Sequence, residues 1–369
     1  MERSEVRTVI AATVTLVFCA AGCSAPDETS DEGTEPVDSI AQFFAEGGRV
    51  VTAASYPTDE TSRQLLINQG RAGINTFRHN RELTPTDNQP VVRMNRDTYY
   101  SIAVVDVSKG ATVTIPEVGD GRYVSVQPIT EDHRIQRMSY GPGTFELATH
   151  TGTHLGVVVR LDGTIAATEA ASIQDQMKIE AASNNRFTAM PIDKESFVAV
   201  ENALRAKLPA LIARDGRKAS VGMLTAPDDE SSSLFDQEKY EIGAAVGWGG
   251  AQIVDNIYEV SGDYPVAACY QATFSDPQNE AFWSITVYDK AGFMFNDVAN
   301  VNSNLATPNP DGTYTVSFGC GEDAPNNLQT ANESGVFNLS ARHYRPSERV
   351  RLEGFRILPN VRAVAEPTR

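Results

Sequence analysis

The chain has 369 residues, 41% of them hydrophobic, and carries 48 acidic against 31 basic side chains, for a formal net charge of −17. That length and apolar content suffice for two domains with real cores. The charge excludes nucleic acid as a partner, because a phosphate backbone rewards clustered Lys and Arg and no basic run occurs.

At the N-terminus, Val9 to Phe18 is an uncharged run followed by the small residues Cys19-Ala20-Ala21-Gly22-Cys23. A bilayer-spanning helix needs about 20 mainly apolar residues. This stretch is shorter and rich in Ala, Gly, Thr and Ser, which is the pattern of a cleaved export signal over residues 1–22. Ala20-Ala21-Gly22-Cys23 resembles a bacterial lipobox, which implies that Cys23 is acylated and anchors the chain to the lipid bilayer outside the cytoplasm; cleavage without acylation would leave a secreted protein. The segment 23–39 that follows holds six acidic residues after Cys23 and no basic ones, so it reads as a disordered acidic tether.

Beyond the tether, Ser39 to Asn80 reads as helical, with Leu65-Leu66-Ile67 its densest apolar patch. Residues 40–162 are expected to form a helical lead-in and a first β domain. Its strands are predicted over Val91–Met94, Thr98–Val107, Ala111–Pro116, Arg122–Ile129, Thr144–Ala148 and Leu155–Leu161, on a two-residue alternation broken by Gly-containing turns. Residues 163–240 change to helical spacing, with Phe197, Val200, Leu204, Leu208, Leu211 and Ile212 on one face, Asp193 as N-cap, and Pro209 expected to kink or interrupt the helix. A further helical segment ends near Gly247-Trp248-Gly249-Gly250. Residues 241–369 return to strand rhythm over Pro265–Phe274, Phe282–Tyr288, Thr313–Phe318 and Val336–Tyr344. The expected fold is mainly β: two antiparallel β-sandwich or jelly-roll-like domains joined by a helical bridge.

Specific strings narrow this reading. Asn95-Arg96-Asp97-Thr98-Tyr99-Tyr100-Ser101 resembles the Asn-x-Asp-Thr-x-Tyr-Ser core of a bacterial family known as domain of unknown function 1254, and Gly121-Arg122-Tyr123, Tyr140-Gly141-Pro142-Gly143-Thr144 and Gly152-Thr153 follow in that family's order. Gly247-Trp248-Gly249-Gly250, Ala281 to Asp289, Asp311-Gly312, Phe318-Gly319 and Arg342-His343-Tyr344-Arg345-Pro346 are similar to its companion module, number 1214. The resemblance implies β-sandwich modules, the second of jelly-roll type, and no established activity. Asn327 stands where many members carry a Cys shortly after the Phe-Gly-x-Cys turn. Gly335-Val336-Phe337-Asn338 replaces a Trp-rich stretch.

Among residues with chemical potential, Asp97 and His133 are the acid–base candidates. Asp132 neighbours His133 but points to the opposite face if both lie on a strand, so Asp97 from an adjacent strand is the better partner. Asp97 could equally be a structural carboxylate. Asn95, Tyr99, Arg134, Trp248 and Arg345 are ligand-binding candidates, and Arg342 and Arg345 could read a carboxylate or a sugar. Cys269 and Cys320 are an even pair in an oxidising compartment, either bonded or two buried thiols. His150 and His154 are separated by turn residues rather than a helical turn, which does not make a metal site. No Walker loop, nucleophile elbow or dinucleotide fingerprint occurs, so no cofactor is implied. Three functions remain open: binding of a small molecule, glycan or envelope component; hydrolysis with Asp97 and His133; or a structural role through an envelope protein partner.

Overall fold

The computed structural model describes residues 35–364, apart from 90–91, 135–136, 226 and 228–231. The export signal, Cys23 and most of the acidic tether lie outside the described residues. From Glu35 onward the chain forms one compact unit.

The fold is mainly β, with most strands in antiparallel pairs and no closed barrel. In the first half, strands Thr98–Asp106, His154–Asp162 and Val124–Thr130 lie side by side, flanked by the short strands Arg78–His79 and Ser139–Tyr140. A three-stranded sheet of Gly143–Leu147, Ala111–Ile115 and Lys178–Ala181 packs across it. Alternation decides which side chains fill the gap. Tyr99, Ala103 and Val105, Val124 and Val126, and Val157, Val159 and Leu161 all point into one core. The opposite face of the larger sheet carries Tyr100, Ile102, Val158 and Ile129, which pack with Leu224 and Trp248.

The second half repeats the design. Asn256–Val260, Val336–Tyr344, Trp283–Tyr288 and Asn300–Asn302 form one sheet. Thr313–Phe318, Tyr270–Ser275 and Val361–Ala363 form the main part of the other. Trp283, Ile285, Val287, Phe337, Leu339 and Ala341 meet Ala272, Phe274, Val316 and Phe318 between them. Cys269 and Cys320 are bonded, with Cα atoms 4.7 Å apart, and join the ends of two paired strands. Asn327 accepts the Cys320 backbone N–H at 2.9 Å through Oδ1 and so holds the turn that follows the bonded cysteine.

The helices do more than bridge. Tyr56–Ala72 from the lead-in packs with Lys194–Asp215 and Gln237–Val246, sharing one apolar cluster around Leu65, Leu66, Phe197, Leu204, Leu211 and Ile242. Asp193 caps the long helix by accepting the Ser196 N–H at 2.8 Å, as its position in the sequence suggests. That helix runs through Pro209 without interruption, because Leu204 and Leu211 on either side are both anchored in the shared core. The lead-in is not one helix. Strand Phe44–Arg49 separates Ile40–Phe43 from Tyr56–Ala72, and a Cβ on Gly48 would lie 2.5 Å from the Ile192 backbone. The expected strand Val91–Met94 does not form at its described residues, which lie in a turn. Arg93 has a φ of 56° and gives its N–H to the Gly292 carbonyl of the other sandwich, so this apolar run joins the halves instead of pairing within one sheet.

Candidate inter-module cleft

Both sandwiches turn a polar sheet face toward the joint between them. On the first, strand register places Tyr100, Arg160, Ser125 and Tyr140 in one row across four strands. On the second, Tyr258, Arg342, Ser284 and Asn302 form a matching row. The second face is polar yet covered: Ser284, Thr286, Tyr288, Asn302, Asn338, Ser340, Arg342 and Tyr344 are all buried. Burying so many polar groups is unfavourable unless each finds a partner.

Asp97 supplies much of that satisfaction. It enters from the first sandwich and accepts from Ser284 Oγ at 2.7 Å, Tyr344 Oη at 2.9 Å and Asn300 Nδ2 at 2.9 Å, all on the second. Arg342 lies in the same face and donates to Thr286 Oγ1, the Tyr288 hydroxyl and the Arg93 carbonyl. Burial alone lowers the affinity of the Arg342 guanidinium for its proton, but Tyr288, Tyr344 and Asp97 outweigh it and hold the group above the usual arginine value. At the other end of the joint, Phe282 stacks on Tyr344 with centroids 4.1 Å apart, and Tyr123 meets both edge-on. Burial drives the Tyr123 phenol up to about 12.

Between the rows lies the candidate cleft, around Tyr258, Arg160 and Tyr100. Tyr258 keeps 45% of its surface open. Its ring nevertheless stands within electrostatic reach of Arg160, Arg342 and Tyr100. Burial raises the pKa of its phenol. The half-buried Arg160 donates to the Gln127 side chain and, at 3.2 Å, to the Gly249 carbonyl. Its guanidinium carbon lies 5.6 Å from the Tyr100 ring centroid. Asn95 Nδ2 donates to the Tyr100 hydroxyl at 2.8 Å and orients it.

The glycine-flanked loop around Trp248 closes the floor. Gly249 has a φ of 71°, which frees its carbonyl for Arg160 and Gln127 while its N–H reaches His133 Nε2 at 3.0 Å. Trp248 stacks on His133 with centroids 6.1 Å apart, and its indole N–H donates to Thr61 at 3.1 Å. His133 is fully buried, and its Nδ1 meets no hydrogen-bond partner. Burial pushes its imidazole down to about 4, against a smaller upward pull from Asp132.

The structure does not bring Asp97 and His133 together: Asp97 is occupied by Ser284, Tyr344 and Asn300, and His133 by Gly249 and Trp248. Asp132 turns instead to His150, at 2.9 Å. Tyr99 fills the first core and donates to the Ile165 carbonyl. Arg134 lies 3.7 Å over the Phe235 ring, and Arg345 covers Tyr140 while pairing with Glu280. Asn95 and Trp248 thus border the cleft, whereas Tyr99 is core. Among the described residues no group of three His, Cys, Asp or Glu is placed to hold a metal ion. Arg160 and Tyr258 were missed by sequence reasoning. The first sits in an apolar strand pattern, and the second in a strand, Asn256–Val260, whose mixed residues gave no alternation.

Two family models match the chain: "Protein of unknown function (DUF1254)" over residues 74–130 and "Protein of unknown function (DUF1214)" over residues 261–348. Segments of the chain thus match both modules of this two-module family. The first match contains Asp97 and the second contains Ser284, Asn300 and Tyr344, so the three hydrogen bonds of Asp97 tie one module to the other. Arg160 and Tyr258 lie outside both matched segments. The VPA0106 protein from Vibrio parahaemolyticus superposes with a TM-score of 0.62 at 16% identity, covering 85% of this chain and 98% of that one, which shows a shared fold. An uncharacterised protein from Burkholderia cenocepacia matches at a TM-score of 0.47 and 14% identity over 85% of this chain and 86% of that one. No curated protein matches the chain.

For this DUF1254–DUF1214 protein, Asp97→Asn should lower unfolding stability by about 3–5 kcal/mol in urea titrations, because it removes the carboxylate that compensates buried Arg342 and three donors. His133 gives a second expectation. Its folded pKa lies below the unfolded value, so its contribution is complete above about pH 6.5 and is lost as pH falls toward 4. The loss is about 3 kcal/mol. His133→Asn, which tolerates the φ of 61° at this position, should flatten that slope when wild type and variant are denatured in parallel at pH 7, 5.5 and 4.

Proposed function

We propose that the protein is an exported, lipid-anchored binding protein whose inter-module cleft receives a small molecule or glycan fragment. The observation that carries this reading is Arg160, whose guanidinium lies 5.6 Å from the ring of the oriented Tyr100, with the nearly half-open Tyr258 within electrostatic reach of both. Polar groups fixed by their neighbours before a ligand arrives are what a binding site requires, since little ordering remains to be paid on association. The saturation of Asp97 favours binding over hydrolysis. A carboxylate that already accepts three hydrogen bonds at 2.7–2.9 Å has a structural occupation, and no base stands beside it.

The anchoring part of the reading rests on residues 1–39. An apolar core too short for a bilayer, small residues before Cys23, and an acidic spacer together support acylation of Cys23 and a body displaced from anionic headgroups. Among the described residues no helix is long and apolar enough to cross a membrane.

A thermal-shift screen of envelope glycans, small acids and lipids should find compounds that raise the melting temperature, because a ligand restricted to the folded state stabilises it by mass action. Tyr258→Ala should abolish the shift, and a shift that survives this change would place binding elsewhere. Intact-mass analysis of the membrane fraction should show a chain beginning at Cys23 with added acyl mass. A mature N-terminus without that mass would overturn the anchor.

A further inference from the structure

We propose that the ligand of the inter-module cleft presents a single carboxylate, bound by Arg160 with the hydroxyls of Tyr100 and Tyr258. This rests on the binding reading of the cleft and names the chemistry that the cleft recognises.

Three observations converge. The first is an unmatched charge. Arg160 donates to Gln127 and to the Gly249 carbonyl and lies against Tyr100, but among the described residues it forms no ion pair with a carboxylate. Its neighbour Arg342 has Asp97 within electrostatic reach, whereas Arg160 is acted on by Tyr100, Tyr123 and Tyr258. A guanidinium withdrawn from bulk water normally keeps an acid beside it, and leaving one unpaired costs several kcal/mol in general. In a chain of net charge −17, acids for that purpose are not scarce.

The second is the direction of the hydrogen bonds. Tyr100 oxygen accepts from Asn95 Nδ2 at 2.8 Å. That phenol has filled an acceptor position, which leaves its own proton to donate, and the half-open Tyr258 brings a second phenol O–H. A guanidinium carries five N–H donors and no acceptor, and Gln127 and Gly249 engage only part of that set. The groups facing the cleft are thus donors in search of acceptors. A ligand that supplied donors, such as an amine, would find none of its needs met.

The third is shape and charge count. Arg160 is flanked by aromatic rings on a flat sheet face, and a planar two-oxygen acceptor matches the edge of a guanidinium. One uncompensated positive charge is balanced by one carboxylate. Asp255 stands toward the Tyr123–Tyr140 end, where Tyr140 donates to it at 2.6 Å, and would repel a second negative charge. The carboxylate could belong to an aromatic acid or to a sugar acid, since Tyr100 and Tyr258 offer ring faces to either.

Isothermal titration of the purified mature protein with benzoate, glucuronate, benzamide and inorganic phosphate tests this. Benzoate or glucuronate should bind at least ten-fold more tightly than benzamide, and whichever binds better identifies the ligand as an aromatic acid or a sugar acid. Arg160→Met should weaken carboxylate binding by about 10- to 100-fold, the loss of a charged hydrogen-bond pair. Tyr258→Phe keeps the ring and tests the hydroxyl alone, with an expected loss of about 3- to 10-fold. It also serves if Arg160→Met fails to fold, which circular dichroism melts would reveal. Equal binding of benzamide and benzoate, with both weakened by Tyr258→Phe, would overturn the carboxylate inference and leave the cleft as a site for neutral ligands. Tighter binding of phosphate than of either carboxylate would overturn it in favour of a tetrahedral anion. No response to any probe at millimolar concentration would also overturn it, and the broader binding reading would then be decided by the thermal-shift screen.

Discussion

A buried polar sheet face governs this molecule. The second sandwich needs an apolar inner face for its own core, and alternation along Trp283–Tyr288 and Val336–Tyr344 sends Ser284, Thr286, Tyr288, Arg342 and Tyr344 to the other side. In an isolated domain that side would be hydrated. Here the first sandwich covers it, and each polar group must find its partner inside protein. Asp97 meets that requirement at the centre by accepting from three side chains of the opposite module. The turn at Arg93, the hydroxyl of Tyr288 and the aromatic contact of Tyr123 with Phe282 and Tyr344 follow from the same juxtaposition.

Such an interface specifies more than it stabilises. Apolar surfaces of similar area can slide and repack, whereas a row of directional hydrogen bonds has one register. The row Tyr100–Arg160–Ser125–Tyr140 is thereby held opposite Tyr258–Arg342–Ser284–Asn302, and the space left between them keeps its shape. The loop Gly247–Gly250 adds a third wall. Its glycines let backbone carbonyls approach Arg160 and Gln127, and its indole wedges over His133 and reaches the helical layer at Thr61. Helices, first sandwich and second sandwich thus meet at one place, and that place is the cleft.

Particular elements show how far the sequence reaches. Strands with clean alternation, such as Thr98–Asp106 and Val336–Tyr344, were legible to within a residue or two, as were the helix capped by Asp193 and the helix that ends before Gly247. The lead-in was not, because Gly48 serves a close approach to Ile192 that depends on a segment far along the chain. Nor was the turn at 92–94, whose apolar residues imitate a strand but whose backbone bonds across modules. In the candidate site, the motif around Asn95 and Asp97 stood out as a string, yet its two polar residues act separately: one orients Tyr100, and the other binds the second module.

By itself the sequence determined the two-module β architecture, the helical segments, the acidic balance, and the identities of Asp97, Trp248 and Arg342 as residues to watch. These follow from local periodicity, composition and motif order, which are properties of neighbouring residues. Only the tertiary structure decided that Asp97 and His133 work apart, that Cys269 reaches Cys320, and that Arg160 lies over Tyr100 with no ion pair among the described residues. Each of those outcomes depends on strand register and on which sheet face is covered. Register brings together residues tens to hundreds of positions apart, and a local pattern contains no record of that distance.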